Sequence, residues 1–232
     1  MNKVLVFDTE TINIRDVSIF DIGMATLDLE TGEREVEGYL IEEVYNSPIF
    51  KSAYYYEKNH KKYEEMLEKK ELTIIPLAEM KKIFLSKLVD KDIKYISAFN
   101  MNFDLRALNY TFNKFNLAKK QLNYKSLKNF VIPIDIALAF ALYIKEMDEH
   151  YKWWARRTNY VTEKGNIRLT AEAIYQYIII KPFEEGHTGI EDIDIEADIL
   201  FYAYNKMQNK MKFLNDVHEL TIKNKRPYTL LK

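Results

Sequence analysis

The hydrophobic positions follow two regimes. Val4-Leu5-Val6-Phe7 is a continuous apolar run that stops at Asp8, the signature of a strand buried on both faces, and Lys3–Phe7 is predicted as one. Ser18–Leu29, with Ile19, Ile22, Met24 and Leu27, is predicted as a second strand. Glu30-Thr31-Gly32-Glu33 supplies a turn and Glu35–Ile41 the returning strand, so the chain opens with an antiparallel meander. From Tyr54 to Asp90 the period becomes helical, broken near Thr73–Pro76, with Met80, Ile83, Phe84 and Leu88 at helical spacing. Tyr95–Phe99 and Val131–Ile134 are predicted as short strands. Each leads into a helix, Phe103–Phe115 and Ile136–Ile144. Leu169–Ile179 and Asp192–Leu214 are the last predicted helices, and the basic tail 221–232 is expected to fray. A meander followed by helix–strand alternation implies a mixed five-stranded α/β sheet with Lys3–Phe7 at its centre and helices on its faces.

Composition narrows the classes. The 232 residues suit one domain, read as 1–232 with no internal repeat or low-complexity linker. Cysteine is absent, which excludes disulfides, thiolate zinc sites and cysteine nucleophiles and fits a cytoplasmic protein. The apolar run before Asp8 is too short for a signal peptide, and Ile136–Ile144 is too short to span a bilayer, so no membrane association is expected. Lys and Arg number 34 against 35 Asp and Glu, a net charge of −1, so any nucleic-acid surface must be local.

Candidate chemistry gathers at three places. Asp8 and Glu10 close the first strand two residues apart and therefore project from one face. Paired carboxylates at a core edge call for a neutralising partner, and a hard divalent cation supplies it; a solvated strand end is the alternative. Asp104 follows Asn100 and Asn102-Phe103 where a strand gives way to a helix. Asn102 is predicted as the N-cap, with Asp104 in the first turn, where it could equally be a dipole-stabilising acid. His187 lies between Gly186 and Gly189, five residues before Asp192. It sits in a run, 184–198, that holds seven acids and no Lys or Arg, most of them expected on a solvated face.

Taken together, Phe7-Asp8-Thr9-Glu10-Thr11, Asn100…Asn102-Phe103-Asp104 and His187-x-x-x-x-Asp192 resemble the three ordered motifs of the DnaQ-like DEDDh 3′–5′ exonucleases. The resemblance runs from Lys3 to about Ala203, and Asp135 resembles a further acidic position of that family. It implies an RNase H-like fold and metal-dependent hydrolysis of terminal phosphodiesters with two Mg²⁺ (or Mn²⁺) ions. Asp8 would be shared by both ions. Glu10 and Asp192 would serve the ion of the attacking water and Asp104 the other, with His187 as general base. Three departures stand out. Gly189 occupies a position where the family usually carries Ala, a mild change; Asp194, Glu196 and Asp198 make the third motif unusually acidic; and the segment 45–73 matches nothing in the family.

The implied substrate is single-stranded nucleic acid with a 3′ end, DNA favoured. The alternatives are an RNA exonuclease like RNase T or oligoribonuclease, and a non-catalytic binding or polymerase-accessory module, for which the loss of an acid or the histidine would be expected. Single-strand sites combine stacking rings with local positive charge. His150–Arg168 carries Trp153, Trp154, Arg156 and Arg157, and from Lys119 to Arg168 ten Lys and Arg stand against five Asp and Glu. These residues, with Thr9, Thr11, Asn100 and Phe103, form the expected nucleic-acid contacts; packed tryptophans and solvated arginines are the other reading. A DNA polymerase or a replication or repair factor is the expected protein partner.

Overall fold

The computed structural model describes residues 2–117, 121–183 and 186–231. Lys119, Lys120, Glu184, Glu185 and Lys232, which belong to the charged runs above, lie outside them. The meander forms as expected: β1 (Lys3–Thr11), β2 (Ile19–Asp28) and β3 (Arg34–Ile41) pair antiparallel. Gly32 turns the second corner at φ +79°, a left-handed conformation that glycine adopts without steric cost. Next come the short α1 (Glu42–Tyr45) and α2 (Pro48–Lys51), the longer α3 (Tyr54–Glu68), β4 (Thr73–Ile75) and α4 (Leu77–Leu88). Then follow β5 (Ile93–Ala98), α5 (Asn102–Lys114), α6 (Tyr124–Leu127), β6 (Ile132–Asp135) and α7 (Ile136–Met147). The chain continues through α8 (His150–Arg157), α9 (Ala171–Ile179), α10 (Gly189–Lys206) and α11 (Lys210–Ile222), ending on a 3-10 turn at Pro227–Leu231.

The sheet has six strands in the order β4-β3-β2-β1-β5-β6, with β1 interior, β5 parallel to it and β6 parallel to β5. The sixth is β4, parallel to β3, where the pattern showed only a break: three residues are too few to display an alternation. Period two divides β1 between two cores. Leu5 and Phe7 face α4, α5 and the insertion helices. Val4 and Val6 face α7, α10 and α11.

Two further expectations change. The helix predicted over Asp192–Leu214 breaks after Lys206, and Asn209 starts a new one by accepting a hydrogen bond from Lys212 N at 2.9 Å. The tail is docked rather than frayed. Thr221 is buried and its Oγ1 accepts from Asp135 N at 3.0 Å, while Leu230 and Leu231 pack against the core. Among the described residues, no helix is long and apolar enough to cross a membrane.

Candidate active site

β1 continues four residues beyond its buried stretch Val4–Phe7, and Asp8 and Glu10 leave it on the face shared with Val4 and Val6, toward α10. α10 descends onto that face because glycines meet where it crosses β2. A Cβ built on Gly23 would lie 2.0 Å from Gly189 O, and one on Gly189 would lie 2.6 Å from Gly23 N. Gly23 is the cross-strand partner of Asp8, so the approach sets α10 directly against the metal-binding candidates of β1. It also makes Gly189 a requirement here rather than a mild replacement for alanine.

Helical period then sorts the acids of the third motif. Residues four apart share a face. Asp194 and Asp198 point outward, where Arg34 Nε donates to Asp194 at 2.7 Å and its Nη1 to Asp198 at 2.6 Å. Asp192 and Glu196 point to the cleft, and Glu196 is buried with its carboxylate accepting from Phe99 N at 3.1 Å. Glu191, Asp194 and Asp198 keep partly exposed, ion-paired side chains, whereas Glu196 departs from the expected solvated face and is interior. The sequence reading missed Glu196, although its position four residues after Asp192 was the available signal.

Asp104 enters from the other side of the sheet. It lies in the first turn of α5, buried, and accepts from Thr9 Oγ1 at 2.8 Å. Met101, not Asn102, is the N-cap of that helix; the Asn102 side chain donates instead to Asn224 near the tail. Asp135 has an architectural position. At the end of β6 it caps α7, accepting from Leu138 N at 3.0 Å, and also accepts from Met101 N at 2.9 Å, tying the β5–α5 turn to α7.

Asp8, Thr9, Glu10, Phe99, Asn100, Phe103, Asp104, His187, Asp192 and Glu196 line one cleft of about 490 Å³, together with Leu169–Ala171 and Pro227. Removal from water, followed by repulsion from Glu196, Asp104, Glu10 and Asp192, raises Asp8 well above the usual carboxylate range. Burial raises Glu196 in the same way and pushes Asp104 up to about 7 and Asp135 to about 6. Acids that hold their protons so tightly are poised to exchange them for a cation. Glu10, His187 and Asp192 present ligand atoms all within 4.8 Å of one another, so the exposed imidazole already faces the acids.

The sequence-predicted nucleic-acid residues divide. Thr9, Asn100 and Phe103 reach the cleft, and Thr11 follows at the end of β1. α8 does not line it. Trp154 is packed, stacked on Tyr160 with centroids 5.4 Å apart and planes 11° apart. Trp153 is 59% exposed with the Arg157 guanidinium 4.6 Å from its ring centroid, and Arg156 is exposed.

No family model and no curated protein matches this chain. A solved structure does: S. pombe Pop2p in its Mg²⁺- and Mn²⁺-bound form, with a TM-score of 0.53 at 16% identity over 88% of this chain and 83% of that one. The fold is RNase H-like. In this RNase H-like sheet the cleft lies at the C-terminal ends of β1, β5 and β6, where open α/β sheets place their ligands.

Proposed function

We propose that this RNase H-like protein is a divalent-metal-dependent 3′–5′ exonuclease that releases nucleoside 5′-monophosphates from single-stranded nucleic acid. The observation that supports the reading is the meeting of Asp8, Glu10, Asp104, Asp192 and His187 in one cleft, from three separate segments of the chain. A donor set of carboxylate oxygens fits Mg²⁺ or Mn²⁺, and the structural neighbour Pop2p binds both. Asp8, Glu10, Asp104 and Asp192 would hold two such ions, which stabilise the attacking and leaving oxygens of an in-line displacement.

The chain's own groups do the rest. His187 accepts the proton of the attacking water. The water oxygen bonds to phosphorus and the bond to the 3′ oxygen breaks; that oxygen takes a proton from solvent water to become the new 3′ hydroxyl, and the imidazolium returns its proton to solvent. Thr9 fixes the Asp104 carboxylate through its hydrogen bond. Phe103, half-buried at the cleft with the Arg106 guanidinium 5.3 Å from its ring centroid, offers a face for the terminal base. Trp153, Arg156 and Arg157 carry the strand beyond the cleft. DNA is the expected substrate and RNA the alternative; a polymerase or repair factor remains the expected partner.

Digestion of end-labelled single-stranded DNA and RNA with Mg²⁺ or Mn²⁺ tests the reading. Shortening from the 3′ end that stops in chelator and in Asp8→Ala supports it, and the better substrate fixes the sugar. Cleavage that persists in excess chelator refutes it.

A further inference from the structure

The segment 45–73, which matched nothing in the sequence resemblance, makes specific contacts with the histidine loop. Tyr63 of α3 is fully buried, and its hydroxyl donates to Asp21 Oδ2 at 2.9 Å. The same oxygen accepts from Gly189 N, the first amide of α10, at 2.8 Å. Lys62, the preceding residue, donates to Gly186 O at 2.8 Å and pairs with Glu191. Glu191 in turn accepts from Thr188 Oγ1 at 2.9 Å.

These bonds grip the loop on both sides of His187. Gly186 is held by its carbonyl, Thr188 by its hydroxyl and Gly189 by its amide, all leading back to two adjacent residues of one helix. His187 itself has φ +53°, in the left-handed region that is uncommon for a residue with a Cβ. The ion pair lies directly over the loop: a Cβ on Gly186 would meet the tips of the Glu191 and Lys62 side chains.

We infer that α3 is a positioning element for the general base, with Lys62 and Tyr63 setting where the His187 imidazole stands relative to Glu10 and Asp192. The inference rests on His187 being the proton acceptor. Neither residue lines the cleft, so each acts through the loop and not on the substrate. The insertion is then part of the catalytic design: a movement of α3 would be felt at His187.

The test is Lys62→Met in the full chain, read two ways. The protein has four histidines, few enough to resolve by ¹⁵N-edited NMR of the imidazoles. The His187 signal should shift and broaden while those of His150 and His218 stay in place, in chelator as well as with Mg²⁺. In the nuclease assay kcat should fall about tenfold with KM within about twofold, a part of the general-base contribution, since the imidazole is misplaced and not removed. Lys62→Arg should restore both readouts. Tyr63→Phe, which removes only the hydroxyl, should move them in the same direction. If Lys62→Met does not fold, Glu191→Gln interrogates the same ion pair with less change in bulk. An unmoved His187 signal and an unchanged kcat in folded variants would overturn the inference and leave α3 as packing. Failure of the exonuclease reading looks different: a wild type without phosphodiesterase activity, or a fully active His187→Ala, while the NMR response to Lys62→Met persists.

Discussion

Replacing Gly23 by alanine puts the site's construction to a test in which the sign alone is informative. Gly23 lies inside β2, paired with Asp8 on one side and Gly38 on the other. In an ordinary strand interior, glycine is the weaker residue and alanine would raise stability by about 0.5–1 kcal/mol. Here the new methyl would fall 2.0 Å from Gly189 O, 2.4 Å from Gly189 C and 3.1 Å from Ile190 N. Ordinary contact begins at 3.4 Å, and all three obstacles are backbone, so no rotamer change relieves them. α10 must back away by about an ångström or more, and overpacking of this kind costs about 1–3 kcal/mol. At about 2–4 °C per kcal/mol for a chain of this size, the melting temperature should fall by about 2–12 °C. The helix that retreats carries Asp192 and Glu196, so Mn²⁺ binding should weaken. A misplacement of about 1 Å is enough to cost about 10²-fold in rate. Gly189→Ala, with 2.6 Å to Gly23 N and 2.9 Å to Asp21 Oδ1, should show the same effects more mildly. Thermal melts in chelator, Mn²⁺ titration and single-turnover cleavage read the three consequences. A Gly23→Ala protein that melts higher than wild type and cleaves at an equal rate would refute the close crossing of α10 over β2.

His187→Ala should lose about 10²–10⁴-fold in rate while retaining divalent-ion binding, measured by calorimetry; loss of the ion along with the rate would make His187 a ligand instead. In chelator, stability should fall as pH rises from about 4 to 7. Asp21 and Asp135 at about 6 and Asp104 at about 7 hold their protons more tightly folded than unfolded, so the folded state is favoured at the acid end of that window and loses the advantage as pH passes the folded values. Mg²⁺, which binds the ionised acids, should flatten that fall, and a chelated melting temperature that climbs over the interval would contradict the burial argument. Arg156→Ala with Arg157→Ala should weaken oligonucleotide binding and reduce the slope of its salt dependence by about one to two counterions, with little change in single-turnover rate at saturation; an identical salt titration would return both arginines to plain solvent exposure.

What the sequence disclosed was whatever lies close together along the chain. Asp8 and Glu10 were legible because strand period fixes their face, and Asp192 because its distance from His187 is short. The meander and the two parallel strands were legible through apolar runs bounded by turns. β4 was not, since its pairing with β3 depends on chain contacts across α1–α3 rather than on any pattern in three residues. Glu196 was visible only as one acid in a crowded run; its inward face becomes apparent once α10 is known to begin at Gly189 and to cross β2 at Gly23. The link from Tyr63 through Asp21 to Gly189 joins residues 42 and 168 positions apart, and no local spacing announces it. Asn102 illustrates the converse. Its residue type suits a cap, yet the turn places Met101 there and spends the amide on Asn224.

The sorting of acids along α10 limits how this chain can vary in length. One residue added or removed between Asp192 and Glu196 would turn everything beyond it by about 100° about the helix axis. The carboxylate now in the cleft would swing out of it, and the Arg34 partners would rotate off the guanidinium that holds them. Point changes at Asp194 or Asp198 disturb a partly exposed outer ion pair and, at Asp198, a hydrogen bond from the Tyr175 hydroxyl. Insertions and deletions among related chains should therefore accumulate in the connections around β4 and α8, while the interval from Gly189 to Asp198 keeps its length even where its composition drifts.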